Sequence, residues 1–182
     1  MPNWCKNKLS IFSESDEQME EFLEFIRDGD NVFSLNKILP MPEALRQVQS
    51  PTKVATQEEI NVYKEQYKDK PYMMDSLPIT QETCDALMNM YGVSNWYDWA
   101  NEHWGTKWDT SDAKITESYP SEVYIDFDTA WGPPNETIKG VLEYKFPDIS
   151  ITWLWYEDGM QIAGYLLEGV KIKYEHNTQS IV

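Results

Sequence analysis

Cysteine is nearly missing from this chain: its 182 residues hold only Cys5 and Cys84, far apart and outside any CxxC or Cys/His spacing. Neither a disulfide framework nor a zinc site is implied, and both thiols are expected to be reduced. Basic residues are scarce too, 15 Lys and Arg against 31 Asp and Glu, for a formal net charge of -16. A field of that sign repels phosphate and anionic lipid, which argues against direct binding to nucleic acid or membrane surfaces. No apolar run approaches the roughly 18 residues that span a bilayer, and residues 1–8 lack the apolar stretch of a secretory signal, so a cytoplasmic protein is expected. Catalytic signatures are also wanting. His103 has no second histidine nearby, there is no Gly-x-Ser-x-Gly, and Gly105-Thr106-Lys107 lacks the upstream glycine and strand of a phosphate-binding loop. No enzyme chemistry, resident metal or cofactor is expected.

Aromatic surface, in contrast, is abundant: eight Trp, eleven Tyr and six Phe, far too much for a disordered chain. The length suits a single domain. Residues 3–12 alternate as a strand, with Cys5, Leu9 and Ile11 on one side and Trp4 and Phe12 on the other. Ser13 or Ser15 then caps a helix whose Met19, Phe22, Leu23 and Ile26 share a face, ended by Gly29. The two prolines of 38–42, ILPMP, predict a loop across Phe33 to Leu45. A peripheral helix is expected over 56–69. Thr80 opens a stronger one, with Cys84, Leu87, Met88 and Tyr91 on its core face and Gly92 at its end. Cys84 reads there as core filler rather than as a nucleophile. Ser94 caps a short Trp-rich helix with Trp96, Trp99, Ala100 and His103 inward, and Gly105 stops it.

Beyond Gly105 the period changes. Residues 113–118 and 122–131 form a hairpin around Tyr119-Pro120-Ser121, and a helix starts at Gly132-Pro133-Pro134-Asn135 with proline at its opening. Three strands follow, over 149–157, 160–168 and 170–175. Without a helical insertion at about 34–108, the order is βαβ-βαβ, an antiparallel sheet covered on one face by two helices. The expected fold is therefore α+β, a ferredoxin-like core with that insertion and a C-terminal β-hairpin extension.

Three groups of residues carry candidate chemistry. Residues 96–108 pack four Trp and a Tyr around Asn101, His103, Thr106 and Lys107. Indoles such as Trp104 and Trp108 can wall a slot for a flat base while Thr106 and Lys107 bind a phosphate; alternatively, the rings pack the insertion onto the sheet. Asp126 and Asp128 share one strand face, a spacing that holds a hard cation or serves as an ordinary solvated face. The outer face of the first helix carries Glu17, Glu20, Glu21 and Glu24 with only Arg27 opposing, which is either a solvated face or a surface for a cationic partner.

Residues 1–7 (MPNWCKN), 38–42 (ILPMP), 96–109 (WYDWANEHWGTKWD) and 127–134 (FDTAWGPP) together resemble the YubB-like ferredoxin-domain proteins of bacteriophages and conjugative plasmids. The resemblance implies the same fold and a mobile-element origin, and it carries no activity and no catalytic residues. It also suggests that the four blocks meet at one end of the sheet, which adds Asn7 and Trp131 to Trp104, Thr106, Lys107 and Trp108 as a ligand-binding set. Two functions are then expected in competition. One is a non-enzymatic, acidic interaction protein that blunts a host defence effector, in its sharper form by imitating nucleic acid through Glu17, Glu20, Glu21 and Glu24. The other is a binder of a small nucleotide or signalling molecule using the Trp-rich segment.

Overall fold

In strand β1 (Trp4–Phe12), burial alternates without a break: Cys5, Asn7, Leu9 and Ile11 are buried while Trp4, Lys8 and Phe12 face solvent. A computed structural model describes residues 3–70, 77–167 and 170–175. The chain divides into two compact units, one made of Met1–Pro40 with His103–Val182 and the other of Met41–Glu102. Among the described residues, no helix is long and apolar enough to cross a membrane.

In the first unit, helix α1 (Asp16–Ile26) begins where the Ser15 hydroxyl accepts the Gln18 N–H, and it buries Met19, Phe22 and Ile26. A single helical turn, α2 (Leu35–Ile38), is capped by Ser34, whose hydroxyl accepts the Lys37 N–H. Asp109 reinforces that start by accepting from the Ser34 hydroxyl and the Leu35 N–H, both at 2.6 Å. This clamp explains why the compact second unit is narrower than the 34–108 insertion read from the sequence: residues 34–40 and 103–108 are held in the first unit.

The second unit contains α3 (Glu43–Arg46), α4 (Gln57–Gln66), α5 (Gln81–Tyr91) and α6 (Trp96–His103). The ILPMP segment is less irregular than expected, because its prolines fall between α2 and α3, with Pro42 at the α3 cap position. A capping box formed by Thr56 and Glu59 starts α4. Gly92, at φ 77°, ends α5 in the left-handed region that glycine tolerates best. Two local expectations are corrected. Met88 is exposed and only Leu87 of α5 is buried, Cys84 and Tyr91 being half-buried, since the α5 stripe is narrower than its sequence suggests. Asn95, not Ser94, caps α6: its side chain accepts the Asp98 N–H, while the Ser94 hydroxyl pairs with that of Thr52.

The first unit then continues with β2 (Ser111–Tyr119), β3 (Glu122–Ala130), α7 (Glu136–Lys145), β4 (Ser150–Glu157), β5 (Ile162–Leu167) and β6 (Val170–Glu175). Asn135 caps α7, so Pro133 and Pro134 are buried ahead of the helix rather than within its first turn. All neighbouring strands are antiparallel in the order β2-β3-β1-β4-β5-β6. The first four reproduce the split βαβ-βαβ order, and β5-β6 is the added hairpin. Under the helices, Phe33 stacks on Phe127 at 4.5 Å and meets Trp153 edge-on at 5.7 Å, placing an aromatic core on the same side as Asn7.

Candidate functional site

Asn7 is a polar residue on the buried side of β1, and its amide explains how the core tolerates it. Its nitrogen donates to the Thr129 hydroxyl at 2.8 Å and to the Cys5 carbonyl, and its oxygen accepts from the Trp153 indole at 3.1 Å. The Thr129 hydroxyl in turn donates to the Gly132 carbonyl. One side chain thereby ties β1, β3 and β4 together, and buried polar groups are tolerated only when so satisfied. The Trp155 indole N–H has no partner among the described residues.

Trp104 and Thr106 are similarly engaged. The Trp104 indole donates to the Leu39 carbonyl, and the Thr106 hydroxyl both donates to the Ala130 carbonyl and accepts the Ala130 N–H. Gly105 lets this loop lie against the next helix: a Cβ there would stand 2.6 Å from the Asn135 nitrogen, and its φ is 77°. These bonds bring residues 3–4, 104–108 and 130–135 to one end of the sheet, where Trp131 N–H also donates to the Asn3 carbonyl.

Of the six residues in the ligand-binding set, then, Asn7, Trp104 and Thr106 are buried and bonded within the protein. Lys107, Trp108 and Trp131 stand at the surface of the same end. The Lys107 ammonium lies 3.6 Å from the Trp108 ring centre, and Trp4, absent from the sequence-derived set, approaches Trp108 at 6.4 Å. Trp131 is about half exposed, at a φ of 74° that a bulky side chain seldom adopts. The β1 alternation already placed Trp4 opposite Cys5; what the sequence could not supply was the approach of residue 108.

The open face of the sheet continues from Trp4. In register, Lys6 stands opposite Asp128 and Lys8 opposite Asp126, and both pairs form salt bridges. The Asp128 carboxylate, hydrogen-bonded to Lys6, holds that ammonium above its ordinary value of 10.5, outweighing the opposite effect of burial. The two aspartates that resembled a cation site are thus each answered by a lysine. A bulge in β2 between Ser111 and Lys114, with Asp112 at φ 52°, turns Asp112 toward the same groove, which holds about 550 Å³ between Lys6, Lys114, Asp126 and Tyr156.

On the opposite side, α1 exposes Glu17, Glu20, Glu21 and Glu24 together with Glu14, Asp16 and Asp28. None of these carboxylates belongs to an ion pair among the described residues. The last turn of α1 contains no basic residue, so Glu24 also faces the negative end of the helix dipole.

The strand order, the helices on one face and the added hairpin define a ferredoxin-like α+β protein. Residues 103–173 match a family model described as the ferredoxin-like domain in Api92-like protein. Over 100% of both chains, the structure is similar to the crystal structure of a protein api92 from Yersinia pseudotuberculosis, at 15% sequence identity and a TM-score of 0.48. Comparison with curated proteins gives no match.

Proposed function

We propose that this protein acts by binding rather than by catalysis, and that the acidic face of α1 engages a cationic surface of a host protein. The observation that carries this reading is the charge contrast: Asp126 and Asp128 on the open sheet are matched in register by Lys8 and Lys6, while Glu17, Glu20, Glu21 and Glu24 form no ion pair among the described residues. An unanswered acidic face projects its field outward and accelerates encounter with a basic groove. The YubB-like resemblance adds only a mobile-element origin; with that origin, we take the partner to be a defence effector in a bacterial cytoplasm, and imitation of nucleic acid by the acidic face to be the means. Capture from host lysate at rising ionic strength, with the wild-type chain and with Glu17, Glu20, Glu21 and Glu24 changed together to Lys, tests it. A specific partner is expected to be lost in both cases; capture indifferent to salt and to the reversal contradicts the reading.

A second reading is favoured by the exposed rings of Trp4 and Trp108 beside Lys107, with Trp131 exposed at the same end of the sheet, an arrangement that suits a planar anionic ligand such as a mononucleotide. Calorimetry across mononucleotides and cyclic nucleotides tests it. Heat that vanishes in Trp108→Ala supports it, and silence across the panel counts against it.

A further inference from the structure

Next to the acidic face, α1 and the end of α7 enclose a groove of about 610 Å³. Its floor is aromatic and aliphatic: Phe146 is buried, packs edge-on to Phe22 at 5.2 Å and lies 5.5 Å from Phe25, with Ile149 beside it. Its rim is acidic, with Glu21 and Glu24 from α1 and Asp148 beyond α7, against one cation, Lys145. That cation shows what the floor attracts: the Lys145 ammonium sits 4.7 Å from the Phe25 ring centre and 5.7 Å from that of Phe146, rather than in an ion pair with the carboxylates beside it.

We infer that this groove seats an arginine side chain of the cationic partner, a step that rests on the proposed role of the α1 face. Three carboxylates and one ammonium leave the rim with an excess of two negative charges, so a second cation is attracted where one already lies. Arginine is favoured over lysine because its planar, weakly hydrated guanidinium stacks on a ring while its edge N–H groups reach carboxylates, whereas an ammonium keeps its water. The three-carbon stem covers Phe25 and Ile149. Glu17 and Glu20 line no part of the groove and contribute attraction without distinguishing the two cations.

Fluorescence anisotropy with two labelled probes, nona-arginine and nona-lysine, separates the groove from the face. The wild-type protein is expected to bind the arginine probe roughly two- to fivefold more tightly, the range of an exposed cation–π contact. Glu21→Gln with Glu24→Gln, and separately Phe25→Leu with its fold checked by circular dichroism, are expected to abolish that preference. Glu17→Gln with Glu20→Gln is expected to weaken both probes by the same factor and leave the preference intact. Equal affinity of the two probes for the wild type, or a preference that survives both groove variants, overturns the arginine seat while leaving the acidic-face reading standing. If neither probe binds at low ionic strength, both fall.

Discussion

On the open face of the sheet, each aspartate of β3 that looks outward meets a lysine of β1 directly across the ladder; on the helix side, the glutamates of α1 form no ion pair among the described residues. Both surfaces belong to the same compact unit, and both are solvent-exposed enough to carry charge. Asp126 and Asp128 are answered within the sheet, so these two pairs help to hold β1 and β3 in register and project little field. The helix face does the opposite. Glu17 and Glu21, and Glu20 and Glu24, are four residues apart on one helix, a spacing at which like charges repel by a few tenths of a kcal/mol per pair. These are the carboxylates that the proposed function assigns to a cationic partner.

The sharpest way to break the internal half of that contrast lies beneath the matched face. Asn7→Leu leaves the Trp153 indole without its acceptor and the Thr129 hydroxyl without its donor, and it is expected to cost about 2–3 kcal/mol in urea unfolding. Next comes the matched ladder itself. Asp128→Ala removes the acceptor of Lys6 and is expected to cost about 1 kcal/mol, held down because the lysine side chain is 43% exposed. The corresponding change on the other side has the opposite sign: Glu20→Gln with Glu24→Gln is expected to stabilise by a few tenths of a kcal/mol, visible as a small rise in Tm that fades with added salt. If the glutamine pair instead lowers Tm, the carboxylates have internal partners and the contrast is lost.

The smallest effect is alkaline. Hydrogen bonds to carboxylates hold Lys6, Tyr119 and Tyr124 above their ordinary values, through Asp128, Glu117 and Glu122 respectively. The folded chain therefore keeps these protons more tightly than the unfolded one, and the stability this contributes is complete below about pH 10 and lost as pH rises through the folded values. Lys6→Met is expected to shallow that alkaline loss slightly, as followed by denaturant titrations between pH 9 and 11.

How much of this was legible in the amino-acid order follows from how local each cause is. Alternation in β1, a serine cap at Ser13 or Ser15, the hairpin at Tyr119-Pro120-Ser121 and the stop at Gly92 are set by a few adjacent residues and are readable, although only the structure selects Ser15. The α1 glutamates were readable as an exposed acidic face because helical period alone puts them there. Three features were not. The opposition of Lys6 to Asp128 depends on a register between residues 122 positions apart, so the sequence showed two aspartates resembling a cation site rather than two salt bridges. Trp104 looked like one more indole of a slot, but its N–H is claimed by Leu39. Phe25 and Lys145 carry no signal in the sequence, since their meeting depends on how the end of α7 packs against α1.

Amide NMR during titration with nona-arginine tests the central claim most directly, because it reports on both faces at once. The account predicts shifts concentrated in residues 17–25 and 145–149, diminishing with salt, while amides of Lys6, Lys8, Asp126 and Asp128 stay in place. Shifts centred on those sheet residues or on Trp4 and Trp108, with α1 silent, would contradict it.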